Sequence, residues 1–379
     1  MKSRILIITT FFLLILSAHE LRAQLSVYRD KFWTARVDSA LNLIYNLEFV
    51  KADERIKVIE ARYGDHPAVL LLKAEKVFWK YRPLKKGTQP YEEYMNLLNK
   101  VIEQTEKLFT GDSLDMESNF YLMSGYALLT EQYAEDKDYW SVIANAKDAY
   151  KYLKNGMGHE SVIPDYYFTT GLYNYYRVEY PILHPFYKPF LWLFMDGDKQ
   201  LGIEYLKKAA QLSLFLKEQA NIYLFHIYLR YENDPVSSLP YAKLLARSFP
   251  DNLRFTSLYA EALYYNKDFN NLGPLAETLA AQQKKFYTIP GYLFKGIIAE
   301  HNNNLAEAKK YFNFSLSQTD ENEGEDDHYV AMDYAGLARV AIRENKPDEA
   351  RNYYKQAAKI EPYIPVKAEA DAYLSKTDQ

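Results

Sequence analysis

The chain of 379 residues contains no cysteine. Disulfides, thiolate-held metals, thiol nucleophiles and a lipid-bearing N-terminal cysteine are thereby excluded. It also lacks a surplus of positive charge. Its 46 Lys and Arg face 50 Asp and Glu, for a formal net charge of -4. A nucleic-acid partner is not expected, because phosphate binding needs cationic excess. Beyond the first two dozen residues no apolar run reaches the roughly 18 residues of a membrane span. Period-2 alternation is almost absent, so strands are not expected. Neither GxxxxGK[ST] nor GxGxxG occurs, which leaves nucleotide binding without a phosphate cradle. The seven histidines are scattered, and no HExxH or HxxxH places two imidazoles on one helix face. No metal and no cofactor are therefore expected. What the chain has in abundance is tyrosine: 36 of them, in a composition that is 16% aromatic and 48% hydrophobic. That balance supports a large buried core.

The start of the chain reads as an address. Met1-Lys2-Ser3-Arg4 is basic, the twelve residues Ile5 to Leu16 form the hydrophobic stretch, and Ala23 precedes Gln24. A basic start, a short apolar region and a small residue before the cut describe a secretory signal peptide. Twelve residues are too few to cross a hydrocarbon layer of about 30 Å. Cleavage is expected after Ala23, leaving residues 24–379 as one periplasmic or secreted domain.

From Gln24 onward apolar residues recur at spacings of three and four, as amphipathic helices require. Pro67, Pro90, Pro164, Pro250, Pro290 and Pro362 each stand near an expected helix start or stop. The helices come in related pairs. The last pair carries Tyr334, Ala338, Ala350, Tyr354, Ala357 and Pro362 at positions 4, 8, 20, 24, 27 and 32 of one unit. The pair before it carries Tyr292, Gly296, Ala308, Phe312 and Ser315 at the first five of those positions. Ala262 precedes Gly296, and Ala40 precedes Ala74, by the same 34 residues. Further traces are Ala52, Ile56 and Ile59 near the start, and Tyr121 with Gly125 and Tyr167 with Gly171 in the middle. Two helices approach closely only where Ala or Gly stands at the crossing, so small residues at 8 and 20 specify a tight hairpin.

This pattern resembles the tetratricopeptide repeat, and the chain resembles envelope proteins of the Bacteroidota that use it. The resemblance implies an all-α fold: an α-solenoid of about eight helical hairpins in a right-handed superhelix. It covers essentially the whole mature chain, most strongly over 290–362 and most weakly over 216–250, where His226 takes a position that wants a small residue. His226 reads as a hydrogen-bonded core histidine.

Three segments depart from the repeat. At about 177–198 an insertion enters the fourth hairpin. Pro181, Pro185 and Pro189 forbid one continuous helix there. The insertion has two readings. It is either a plug buried inside the superhelix, or an exposed apolar patch of Phe186, Phe190, Leu191, Trp192 and Phe194. An exposed patch would meet a partner protein or make a peripheral membrane contact through 181–195. The stretch 320–327 carries six carboxylates in eight residues and reads as a solvated loop between hairpins. Gly111-Asp112-Ser113-Leu114 spells a hydrolase motif, but no strand precedes it, and it reads as the capped start of a helix with Asp115 and Glu117.

In the tetratricopeptide family, positions 2, 5, 9, 12 and 13 of the first helix point into the concave groove. Carried over, they give Tyr126, Tyr175 and Tyr176 in the middle of the chain. Further on they give Tyr223, Arg230, Tyr231 and Tyr259, and near the end Arg339 and Arg343. Tyr and Arg combine contact area with a polar tip and dominate binding surfaces. The expected role is a non-enzymatic interaction scaffold of the bacterial cell envelope that holds a peptide or protein in this groove. The alternative is a secreted carbohydrate-active or carbohydrate-binding protein on helical hairpins, with aromatics stacking on sugars. Hydrolysis there would need two carboxylates about 5–9 Å apart at one mouth, and no local acid pair stands out.

Overall fold

The computed structural model describes residues 26–108, 115–183, 185–319, 327–360 and 363–377. The expected signal peptide, Gly111–Leu114, the acidic residues 320–326 and Pro362 lie outside these. Every regular element among the described residues is helical.

The first hairpin is α1 (Lys31–Tyr45) with α2 (Phe49–Tyr63), and the second is α3 (Pro67–Tyr81) with α4 (Gln89–Leu108). Next come α5 (Met116–Glu135) with α6 (Tyr139–Gly156), and α7 (Tyr166–Leu183) with α8 (Lys199–Leu212). The fifth hairpin is α9 (Lys217–His226), continued by a π turn over Ile227–Tyr231, with α10 (Pro235–Ser248). Then follow α11 (Leu253–Tyr265) with α12 (Phe269–Ala280), and α13 (Lys285–His301) with α14 (Leu305–Gln318). The eighth is α15 (Asp327–Arg343) with α16 (Pro347–Ile360), and α17 (Ile364–Thr377) follows it. The eight helical hairpins among the described residues agree with the all-α fold and the hairpin number that the repeat pattern predicts. The described residues form two compact units: those up to Glu179 with Trp192–Lys217, and Tyr180–Leu191 with those from Glu218 onward.

One turn is used again and again. Leu47, Lys137, Asn233, Lys267, Asn303 and Asn345 all take positive φ, between 51° and 60°, one residue before the start of a second helix or its cap. Asn visits this left-handed region at low cost, whereas Leu and Lys are forced into it by the hairpin. Asp138, Asp234 and Asp268 then accept backbone N–H bonds of the helix that follows, satisfying donors that a helix start leaves unpaired.

Every even-numbered helix except α6 buries a triplet spaced by four and three. The triplets are Ala52, Ile56 and Ile59 in α2, and Tyr94, Leu98 and Val101 in α4. In α8, α10 and α12 they are Gly202, Leu206 and Ala209; Ser238, Ala242 and Leu245; and Leu272, Ala276 and Leu279. In α14 and α16 they are Ala308, Phe312 and Ser315, and Ala350, Tyr354 and Ala357. These are positions 20, 24 and 27, so each second helix lies on its hairpin with one narrow stripe. At the crossing of α7 and α8 backbone meets backbone. A Cβ on Gly202 would lie 2.6 Å from the Tyr175 backbone nitrogen, and one on Gly171 3.0 Å from the Gly202 carbonyl oxygen. Phe312, fully buried, fills the space that Gly296 and Gly336 leave open.

Proline does less to α7 than the sequence suggests. The helix continues through Pro181 to Leu183. A proline in the last turn forfeits one backbone bond, and the helix ends before a second is needed. Pro185–Leu193 then forms a 3-10 segment.

Candidate interaction surface

In the second unit the first helices of successive hairpins touch one another: α11 meets α13, α13 meets α15, and α15 meets α17. Two clusters of charge tie this layer together. Arg339 on α15 donates to Glu300 of α13 at 2.9 and 3.0 Å and to Glu369 of α17 at 3.0 and 3.2 Å. Glu369 also accepts from the Tyr354 hydroxyl at 2.8 Å, and Arg343 donates to the Glu300 carbonyl at 2.7 Å. Three helices are thus pinned through one guanidinium, whose planar fork suits two carboxylates at once.

The second cluster is deeper. Glu261 on α11 has no exposed surface. It receives Arg230 from the π turn at 3.2 Å and His328 Nε2 from α15 at 2.8 Å. Burial alone would raise its pKa, but Arg230 and His328 prevail and hold the carboxyl far below its usual range. Tyr363 covers the cluster: its ring lies 5.2 Å from Tyr231 and 5.5 Å from the Arg230 guanidinium. The π turn aims Arg230 and Tyr231 at this point; its widened spacing shows in the 2.9 Å bond from the Glu232 N–H to the Ile227 carbonyl.

The expected groove residues therefore differ in what they offer. Arg230, Tyr231 and Arg339 are held by their own chain. Tyr175 is fully buried, packed edge-on against Tyr176 at 5.2 Å with the Lys199 ammonium above it. Its surface is spent on the α7–α8 crossing and presents nothing to a groove. Tyr223 and Tyr259 are half-buried, Tyr259 against the hydrophobic core. Tyr126 and Tyr176 are half-buried too, and Tyr126 stacks on Tyr152 at 5.9 Å. Arg343 alone among the nine is exposed. His226 differs from the hydrogen-bonded core histidine expected of it. Its Nδ1 has no hydrogen-bond partner among the described residues, and burial, reinforced by Arg230, pushes its pKa well below the usual value.

In the first unit, buried carboxylates anchor the segment that precedes α1. Glu117 accepts from Ser26 Oγ at 2.6 Å, the Val27 N–H at 2.8 Å and the Tyr121 hydroxyl at 2.7 Å. Asp165 accepts from the Tyr28 hydroxyl at 2.7 Å and from the backbone N–H of Leu214, Phe215 and Leu216 at 2.8–3.0 Å. Asp115 caps α5, taking the N–H groups of Glu117 and Ser118 at 3.0 Å. These acids are structural, with every bond directed at their own chain.

Of the insertion's expected apolar patch, the described side chains at its C-terminal end are partly open. Trp192 is 80% and Phe194 43% accessible, and Leu191 is half-buried. The Phe186 and Phe190 side chains lie outside the described residues. Sequence reasoning missed Glu261, Glu300, His328, Tyr363 and Glu369. Glu300 occupies position 12 of its hairpin, so the groove rule could have found it. Glu369 follows Ala335 by 34 residues, a sign that α17 continues the repeat.

No group of three His, Asp or Glu among the described residues is placed to hold a metal ion, and none of their helices is long and apolar enough to cross a membrane. Residues 288–360, which span α13 to α16, match the family model described as tetratricopeptide repeat. No curated protein matches the chain. Among solved structures, the crystal structure of yeast Tom70 is similar, with a TM-score of 0.39 and 13% sequence identity over 94% of this chain and 83% of that one. Tetratricopeptide-repeat similarity is thus shown for the α13–α16 stretch, where the small-residue positions are also most complete.

Proposed function

We propose that this protein is a non-enzymatic interaction scaffold of the bacterial cell envelope, exported by residues 1–23 and holding a peptide or protein against the first helices of its hairpins. The observation that carries the reading is the repeat itself. The second helices other than α6 bury the same stripe hairpin after hairpin, so packing consumes one face in a regular way. The Tyr and Arg side chains of the first helices remain as the surface that varies. In the first unit Tyr126 and Tyr176 keep area for a partner, and in the second unit Arg343 does. Tyr175, Arg230 and Arg339 set the geometry behind it. The buried carboxylates support a scaffold rather than a hydrolase, because each of Glu117, Asp165, Glu261 and Glu300 is committed to its own chain.

A photo-crosslinking residue at position 126 or 176 of the mature chain, exposed to envelope extract, tests this. The scaffold reading expects a discrete crosslinked species that Tyr126→Ala or Tyr176→Ala at the other site weakens. Equal labelling from the exposed Val58 on α2 would refute it.

A further inference from the structure

The helix α6 breaks the rule that its counterparts keep. Of its 18 residues only Gly156 is buried. Its exposed residues beyond the first turn are Ile143, Ala144, Lys147, Lys151, Lys154 and Asn155, and Trp140 in the first turn lies in line with them. At helical spacing these fall on one face. The face has a direction. Trp140 is 84% and Ile143 62% accessible at the start, and three lysines follow. Asp148, the acid within the helix, is half-buried at the edge.

The exposed end of the insertion continues this face. Phe194 packs edge-on against Tyr150 of α6 at 5.2 Å, and the Met195 N–H donates to the Tyr150 hydroxyl at 3.1 Å. Trp192 stands two residues away. Asp196, on the same segment, is paired with Arg177 at 3.7 Å. The first unit therefore presents Trp140 and Ile143 on one face of α6 with Lys147, Lys151 and Lys154, and beside Tyr150 of the same helix the exposed Phe194 and Met195, with exposed Trp192 close by in sequence. Several large apolar side chains left exposed around one helix mark a docking site.

We infer that this face docks on an anionic lipid surface. The charge decides between lipid and protein. Protein interface cores are depleted of lysine. A tryptophan-bearing face flanked by lysines is the arrangement that seats rings at the headgroup level while ammonium groups meet lipid phosphates. The inference stands independently of the partner-binding reading, which concerns other helices.

Sedimentation of the mature chain with vesicles tests it, using phosphatidylcholine alone and phosphatidylcholine with about one third phosphatidylglycerol. The wild type is expected to sediment with the anionic vesicles only. Its tryptophan emission should shift to the blue, because Trp33 and Trp79 are already buried and the shift reports Trp140 and Trp192. Replacing Lys147, Lys151 and Lys154 by Gln should weaken binding by roughly a hundredfold, and raised salt should do the same. Trp140→Ala with Trp192→Ala should abolish the blue shift while leaving the thermal melt unchanged, since both side chains are exposed. Wild type that stays in the supernatant, or a lysine variant that binds as before, overturns the proposal. So does a concentration-dependent dimer that the tryptophan variant dissolves without any vesicle binding, which would give the face to a second copy.

Discussion

Asp333 on α15 has no exposed surface, and neither carboxylate oxygen has a hydrogen-bond partner among the described residues. Ser315, which stands beside it, gives its hydroxyl to the Ile289 carbonyl at 3.1 Å. Burial pushes the Asp333 pKa well above its usual value, so the folded state keeps a proton that the unfolded chain releases near pH 4. Stability from this group is therefore full below about pH 4 and falls as pH rises toward the folded pKa. Asp333→Asn should raise the melting temperature at pH 8 and leave it nearly unchanged at pH 4. Melts of the two chains that run parallel across this range would contradict the assignment. Glu261 has the opposite sign. Its pKa is depressed, so its contribution is present above about pH 4.3 and is lost as pH falls toward the folded value. Glu261→Gln leaves Arg230 and His328 without their carboxylate and should cost about 3–5 kcal/mol at pH 7 by denaturant unfolding. The same variant should cost measurably less near pH 2 than at pH 7, because part of the contribution is already lost there.

Between elements, the close crossings fix what can be substituted. Gly202 meets Tyr175 backbone and Gly296 meets the Phe312 ring, so Gly202→Leu or Gly296→Leu should lower stability by about 1–3 kcal/mol or more. An unmoved thermal melt would remove these glycines from the crossings. These positions were legible in the sequence, because a hairpin needs small residues at fixed places and 34-residue steps betray them. The burial of Gly171 against Gly202 follows the same logic even though an insertion separates them. The hairpin turn was legible only in part. Its left-handed residue is Leu in one hairpin, Lys in two and Asn in three, so no single residue type announces it. The groove was the least legible. The repeat rule says which positions turn inward, but not whether a carboxylate two hairpins away reaches back, as Glu261 does to His328 at 2.8 Å. Tyr175 falls to the same limit, since the rule places it inward and packing of α8 then covers it.

For the molecule as a whole, the anchoring of Ser26–Tyr28 bears on where the mature chain begins. Val27 is fully buried, and Glu117 and Asp165 take three bonds from Ser26, Val27 and Tyr28. A cut after Ala23 leaves this segment whole. If the proposed export is right, the processed protein should start at Gln24 by intact mass. A chain begun at Arg29 should lose about 1–3 kcal/mol or more, because two buried carboxylates give up donors. The claim on which the functional account rests is that the first helices, and not the second, carry the partner surface. Crosslinking from positions 126 and 176, with position 58 on α2 as the comparison, measures that directly. The account predicts one partner, captured from the first two positions and absent from the third. Capture from all three alike, or from position 58 only, would contradict it.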